Sequence, residues 1–376
     1  MAHDSSIQHS SSQRIARLTP LGSILAVIEA DVGAAPPRQC AAAQALGAML
    51  AQDVVVSERP PQPIALRDGY AVEAVAIADA GPYAPVPLAA MPRRVEAGEP
   101  LPAATGAVAP LDAVTVRGDR AEAIAAVVPG EGVLPAGGDA TPRTPLRRAG
   151  ERLRALDIAV MAAAGVTAVT VRSPRLRIAC GTMSKTPPIE AALAMLARLV
   201  TIAGGTMRGA ASSLDDALAD DQADAVIAIG GTGSGRNDTS VRTLAQRGRV
   251  EAHGIAVSPG ETAAFGWVGA QPVLLMPGRL DAALAVWLLI GQKLTARLAG
   301  GRVDEVSAML PLKRKVTSTI GLVELIPVRC ADGIAEPLGS GYLSFTALAQ
   351  SDGFVVVPAD SEGFASGTQV AVRPWP

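Results

Sequence analysis

Aromatic side chains are scarce in this 376-residue chain: four Phe, three Tyr and three Trp make up 3% of it, although 49% of its residues are hydrophobic. Its cores must therefore be aliphatic, built mainly from Ala, Val and Leu in fine packing. Cysteine is also sparse. Cys40, Cys180 and Cys330 are widely spaced and form no CxxC pair, which argues against a disulfide framework or a structural zinc site and points to a reducing, cytoplasmic setting. The three histidines, His3, His9 and His253, are too scattered for a metal cluster or a catalytic triad. Excess positive charge is missing: 33 Lys and Arg face 35 Asp and Glu, a net charge of −2, so the chain has no basic field to neutralise nucleic-acid phosphates. Long hydrophobic runs are missing too. The longest, Ala282 to Ile290 (AALAVWLLI), falls far short of the ~20 residues that span a bilayer and reads as a buried helix.

What is present changes in texture along the chain, and two to four domains are expected from roughly 150 residues per domain. The polar start, MAHDSSIQHSSSQ, lacks the apolar stretch of a signal peptide and is expected to be a disordered tail. Apolar residues from Arg14 to about Leu50 recur at helical spacing and predict two helices, broken at Pro36 and Pro37. Asp53 to Val56 is a strand candidate, and the prolines of ERPPQPIALRDGYAV then impose an extended approach to Asp68. From about Ala80 to Pro145, short apolar pieces separated by Gly and Pro predict a small β-rich domain. A helix at 155–164 and the strand VTAVTV follow. From Pro174 the pattern alternates strand, helix, strand, helix and strand, which is a βαβ series with a parallel sheet. Beyond Gly300, Val316–Val328 and Phe354–Val357 read as strands of an all-β tail.

The densest chemistry lies in AVIAIGGTGSGRND, Ala225 to Asp238, where an apolar strand runs straight into four glycines. Glycine permits positive φ and close backbone approach, so successive N–H groups can form an anion-binding concavity at a parallel strand's end. Thr232 and Ser234 add hydroxyls. The loop is neither a P-loop, since no GK[ST] closes it, nor a GxGxxG dinucleotide loop. The bland alternative is a tight strand-to-helix turn. Asp238, just before the helical TSVRTLAQ, either caps that helix or places a carboxylate, and through it a divalent cation, beside a bound anion.

Ordered motifs then carry a family resemblance from about Arg14 to Trp375. They are RDGYAV at Arg67–Val72, ATGA at 104–107, GVTAVTVRSPRLRIAC, DAVIAIGGTGSGRNDTS, SPGETAAFG, MPGRLDAALAVWLLI and GSGYLSFTALAQSDGFVVVP. In this order they resemble the molybdopterin molybdenumtransferase family, which includes the gephyrin E domain. The resemblance implies a fold of α/β and β domains: a βαβ parallel-sheet molybdopterin-binding domain, a helical/linker domain, a small β-rich domain and a C-terminal β-barrel-like domain. With the texture it suggests boundaries at 1–13 (tail), 14–52 with 145–173 (helical/linker), 53–144 (β-rich), 174–305 (α/β) and 306–376 (all-β). It further implies that molybdopterin adenylate and molybdate are substrates, that AMP is released with Mg2+ assisting, and that the protein is a homodimer. Asp68, Thr105 and Asp238 match catalytic positions, with Asp238 as the metal ligand. Gly230, Gly231, Thr232, Gly233, Ser234, Gly235, Arg236, Ser258, Gly260, Pro277, Gly278 and Arg279 match the binding loops.

The chain also departs from the family pattern. CGTMSK at Cys180–Lys185 stands where the family has STGDEL, Ser258 and Glu261 stand where it has the lysines of KPGKP, and an acidic pair is replaced near 208–210. Lys185, Arg208, Arg236 and Arg279 lie in or beside the same loops as replacement cations or as solvated surface charge. Three readings follow: an enzyme of molybdenum cofactor maturation, a paralogue that binds molybdopterin or finished cofactor for storage, delivery or regulation, and a scaffold that has abandoned the ligand. The binding-only reading has a physical basis, because losing one preorganised group at a reacting centre costs about 10²- to 10³-fold in rate. Service to other cofactor-maturation proteins or a molybdenum enzyme is compatible with the first two.

Overall fold

The computed structural model describes residues 13–181, 186–211, 213–303 and 306–376. It comprises two units: Met1–Gln39 with Ala45–Ala51 and Thr170–Pro376, and Cys40–Gln44 with Gln52–Val169.

In the smaller unit, short strands form two three-stranded sheets. Gly69–Val72 lies between Arg93–Val95 and Ala107–Ala109, all antiparallel. Arg120–Ala123 lies between Val86–Pro87 and Val114–Arg117. Small buried residues such as Ala107, Ala109 and Ala123 fill this core, which is the aliphatic packing that a chain poor in aromatics requires. The strand expected at 53–56 does not form. Val54 makes only an isolated bridge to Arg147, because the prolines that follow supply no amide donors for a ladder.

In the larger unit, α1 (Leu21–Asp31) buries Leu21, Ile24 and Ile28, one helical face. The second helix expected before Leu50 is absent. Beyond Pro36 and Pro37 the backbone is extended at Arg38–Ala41 and again at Met49–Leu50, which pairs with Val171–Arg172, so pairing overrides the helical preference of the Ala-rich sequence.

The alternation predicted after Pro174 is realised as β1 (Arg175–Cys180), α2 (Pro187–Ile202), β2 (Thr206–Ala210), α3 (Leu214–Leu218), β3 (Ala225–Ile229) and α4 (Ser240–Arg247), then β4 (Arg249–His253), β5 (Ala264–Val268) and β6 (Gln271–Met276). The strand order is β2-β1-β3-β6-β5-β4. The first four strands in this order are parallel; β5 runs antiparallel to both of its neighbours, β6 and β4, so it is the one reversed strand and the sheet is mixed rather than wholly parallel. Alternation along β3 assigns the two faces. Ala225, Ile227 and Ile229 pack with α2 residues Ile189, Leu196 and Val200, while Val226 and Ala228 pack with Leu214, Leu218, Val241 and Leu244 of α3 and α4. Helices thus cover both faces, and the central strands read as unbroken apolar runs.

The apolar run at 282–290 is indeed a buried helix. Leu280–Val286 continues through a π-helical turn, Trp287–Gly291, into Gln292–Leu298. The turn accommodates Trp287, whose ring lies where a side chain on Gly291 would have to sit.

The C-terminal segment is mostly strand. Val323–Ala331 pairs with Gly353–Val357 and Ile334–Pro337, Gln369–Pro374 with Ala308–Pro311, and Val257–Ser258 joins in parallel from the α/β segment. It is not all-β, because Ser344 caps the helix Phe345–Gln350 through a hydrogen bond from the Ala347 amide.

Ile227 of β3 is fully buried in the middle of the α/β sheet. Replacing it with Ala should cost about 2–5 kcal/mol through lost burial and an unfilled cavity, seen as a lowered urea midpoint.

Candidate functional site

The strand order places a topological switch between β1 and β3. The chain leaves β1 for β2 on one side, and β3 lies on the other, so the crevice beyond their carboxyl ends is where an α/β sheet binds ligands. Gly181 and Gly230 occupy those ends. Gly181 donates its N–H to Ile229 O at 2.8 Å and Gly230 donates to Met276 O at 2.8 Å, extending the ladder by one bond on each side. Ser240, fully buried at the start of α4, shares its one hydroxyl proton between Gly181 O and Gly230 O, each 2.8 Å from Oγ.

The two glycines at the start of the loop are obligatory. Gly230 and Gly231 have φ of +93° and +72°. A Cβ on Gly231 would stand 2.3 Å from Gly181 O and 2.4 Å from Ser240 Oγ. Gly233 and Gly235 crowd only the Asp238 carboxylate, which curls back over the loop and accepts the Gly235 N–H at Oδ2, 2.8 Å.

The loop's carbonyls are tied down one after another. Ser240 holds Gly230 O. The Gln13 amide Nε2 donates to Gly231 O at 3.1 Å and Gly233 O at 2.9 Å, and His253 Nε2 donates to Thr232 O at 2.9 Å. A carbonyl only accepts, so this contact fixes the proton on His253 Nε2. Among the described residues, no acceptor engages the amides of Gly231, Thr232, Gly233 and Ser234. With the carbonyls of the same peptide units held, these four donors are the loop's candidates for an anion.

Two neighbouring segments border the loop. Thr232, buried, shares a 3.0 Å hydrogen bond between its Oγ1 and Thr262 Oγ1, so this hydroxyl is directed at the protein and Ser234 is the exposed one. Ser258 is buried in its short strand, and Gly260 donates to Glu261 Oε2 at 3.1 Å. The turn Pro277–Gly278 follows β6, and Gly278 packs against Gly230 and Ile189. Arg279 lies beside Asp281, Nη2 to Oδ2 at 2.5 Å, and over the Tyr342 ring at 4.8 Å. The Asp281 hydrogen bond raises the Arg279 pKa further, so its charge is fixed and already shared.

Of the cations suggested by sequence, Lys185 lies outside the described residues. Arg208 is paired with Asp220 at 3.2 Å and Arg279 with Asp281. Arg236 is exposed at the loop's tip and, among the described residues, joins no ion pair. Asp68 and Thr105 belong to the smaller unit. Asp68 is exposed and accepts the Ala97 N–H at 2.9 Å, and Thr105 donates its hydroxyl to Pro102 O at 2.7 Å. Asp238 does not cap α4 through its side chain; it closes its own turn onto Gly235. Among the described residues no group of three His, Cys, Asp or Glu gathers for a metal ion. Sequence reasoning missed Gln13, His253 and Thr262, which act on the loop from distant positions.

Three family models match successive stretches of the chain. The "MoeA N-terminal region (domain I and II)" matches residues 16–165, the "Probable molybdopterin binding domain" matches 189–297, and the "MoeA C-terminal region (domain IV)" matches 309–375. The chain belongs to the MoeA family. Molybdopterin molybdenumtransferase 1 of Mycobacterium tuberculosis is 27% identical over 412 aligned positions, 92% of this chain and 96% of that protein. A Methanocaldococcus jannaschii relative is 32% identical over a shorter stretch, 40% of this chain and 36% of its own length. The solved molybdopterin biosynthesis MoeA protein of Pyrococcus horikoshii is 25% identical and superposes with a TM-score of 0.74, covering 95% of this chain and 99% of that one. The glycine-rich loop therefore sits inside the stretch matched as a molybdopterin-binding domain.

Gly231→Ala should abolish ligand binding by this MoeA-family chain, because the added methyl meets backbone and Ser240 together at a left-handed φ. Calorimetry with molybdopterin checks it, and Gly233→Ala, which meets only a movable carboxylate end, should be tolerated better.

Proposed function

We propose that this chain is a molybdopterin molybdenumtransferase of molybdenum cofactor biosynthesis, which takes molybdopterin as its adenylate, accepts molybdate and releases AMP. The observation that carries this reading is the run of four amides, Gly231 to Ser234, that take no acceptor among the described residues, at the switch point of a family-matched molybdopterin-binding segment.

The chain's own contribution is positional and electrostatic. Loop amides held by their tethered carbonyls hydrogen-bond the ligand's phosphate oxygens without reorganising when charge develops there. Arg236 adds a mobile positive charge at the rim, and Ser234 an exposed hydroxyl. Hydrolysis of the adenylate breaks the phosphoanhydride bond, water supplies the oxygen, and AMP leaves. Molybdenum stays on the dithiolene.

Magnesium fits a site of this kind only through the ligand. The half-buried Asp238 carboxylate spends Oδ2 on Gly235 N–H and has Oδ1 to offer, and one carboxylate with phosphate oxygens is a common way of holding this ion. When bound, the ion would neutralise charge on the phosphates. Asp68 and Thr105 are the further catalytic candidates. A homodimer in the cytoplasm completes the proposal; no helix among the described residues is long and apolar enough to cross a membrane.

Purified protein given molybdopterin adenylate, molybdate and magnesium should release AMP at a rate proportional to enzyme. Binding of molybdopterin without AMP release would instead assign the chain to ligand holding. Within the active reaction, Asp238→Asn should lower turnover by roughly 10²-fold. Arg236→Ala should weaken binding about tenfold, with the loss shrinking at high salt as screening replaces the missing charge.

A further inference from the structure

The residues just before the first helix form a strap along the α/β segment. Thr19 N–H donates to Gly254 O at 2.9 Å and Thr19 O accepts from Ala256 N–H at 2.8 Å, a short parallel bridge to Ile255. Ile15 and Leu18 lie on Gly254, where a Cβ would stand 2.4 Å from Ile15 Cγ2. Gly254 directly follows His253, whose ring holds Thr232 O. The same ribbon therefore carries one loop clamp and docks the segment that carries another, Gln13.

The Gln13 carboxamide uses both its ends. Its NH2 donates to the carbonyls of Gly231 and Gly233, and its Oε1 accepts the Arg242 N–H at 3.0 Å, in the first turn of α4. Two carbonyls and one amide can be satisfied together only by a group with two donors and an acceptor in a plane, which among side chains means Asn or Gln. Because Gln13 takes carbonyls and leaves the loop's amides alone, it does not compete with an anion for them. It holds Gly233 O, adds a second donor to Gly231 O beside the Ser240 N–H at 3.0 Å, and through Arg242 N–H ties both peptide planes to the helix that follows.

We propose that Gln13 is a positioning residue for the molybdopterin loop, pre-setting its amides for the ligand from a strap more than two hundred residues away in sequence. This rests on the loop's assignment above. A preorganised donor array binds its anion without the cost of ordering itself, so removing the clamp penalises binding rather than folding.

The test uses the full chain with Gln13→Ala and Gln13→Glu. Glu keeps the acceptor for Arg242 N–H but faces two carbonyl oxygens with a carboxylate, so it should be worse than Ala despite its closer shape. Hydrogen exchange of the two hydrogen-bonded loop amides, Gly230 and Gly235, read without ligand, should speed up in both variants while the thermal midpoint stays near that of the parent. Molybdopterin affinity by calorimetry should fall about tenfold for Ala, as expected for the loss of the two hydrogen bonds that hold the loop carbonyls, and further for Glu. Unchanged loop exchange, or equal molybdopterin affinity in all three proteins, overturns the proposal. A parent protein that binds no molybdopterin overturns the assignment of the loop instead, and the exchange measurement then still decides whether Gln13 orders it.

Discussion

Beyond Gly230 N–H, the strand that ends in glycines leaves its peptide groups without a ladder, and in this chain that deficit is met on the carbonyl side, mostly by side chains. Ser240 takes Gly230 O with its hydroxyl and Gly231 O with its backbone N–H, Gln13 takes Gly231 O and Gly233 O, and His253 takes Thr232 O. A backbone whose acceptors are all satisfied inward has its donors free to satisfy a ligand. The interactions around the loop serve this one asymmetry. Ser240 also stitches β1 to β3 across the switch point, the apolar faces of β3 hold the strand end in place, and the strap over Gly254 brings Gln13 within reach.

Charge plays a smaller part than the sequence suggested. Arg208 and Arg279 lie in the expected loops, yet each already has a carboxylate partner, Asp220 and Asp281, so neither offers an uncompensated charge to an anion. Arg279 is further committed to the Tyr342 ring. Backbone dipoles at the strand end, with Arg236 at the rim, are the recognition surface we propose. This suits a ligand whose phosphate must be gripped and whose adenylate must leave.

The α/β segment was legible because its signals are local. β3 is an uninterrupted apolar run, α2 repeats its buried residues at helical spacing, and Gly230–Gly231 punctuate the boundary between strand and loop. The reversal of β5 between β6 and β4 was not legible, since a periodic apolar pattern carries no direction. The missing second helix before Leu50 and the capped helix at Phe345–Gln350 mark the usual contest between local preference and pairing, although Ser344 preceding FTALAQ is a cap signal that could have been seen. Gln13 was invisible for a different reason. It ends a polar, serine-rich stretch and its partners lie 218 and 220 residues away, so no window of sequence contains both halves of the interaction. His253 and Thr262 are hidden in the same way. Arg279 and Asp281, only two residues apart, could have been paired from the sequence.

The account stands on the four amides of Gly231, Thr232, Gly233 and Ser234 meeting the ligand's phosphate. Hydrogen exchange of the intact protein with and without saturating molybdopterin measures this directly. Protection concentrated on those four amides is the predicted result. Binding that leaves them exchanging at their ligand-free rates, while protecting another surface, would contradict it.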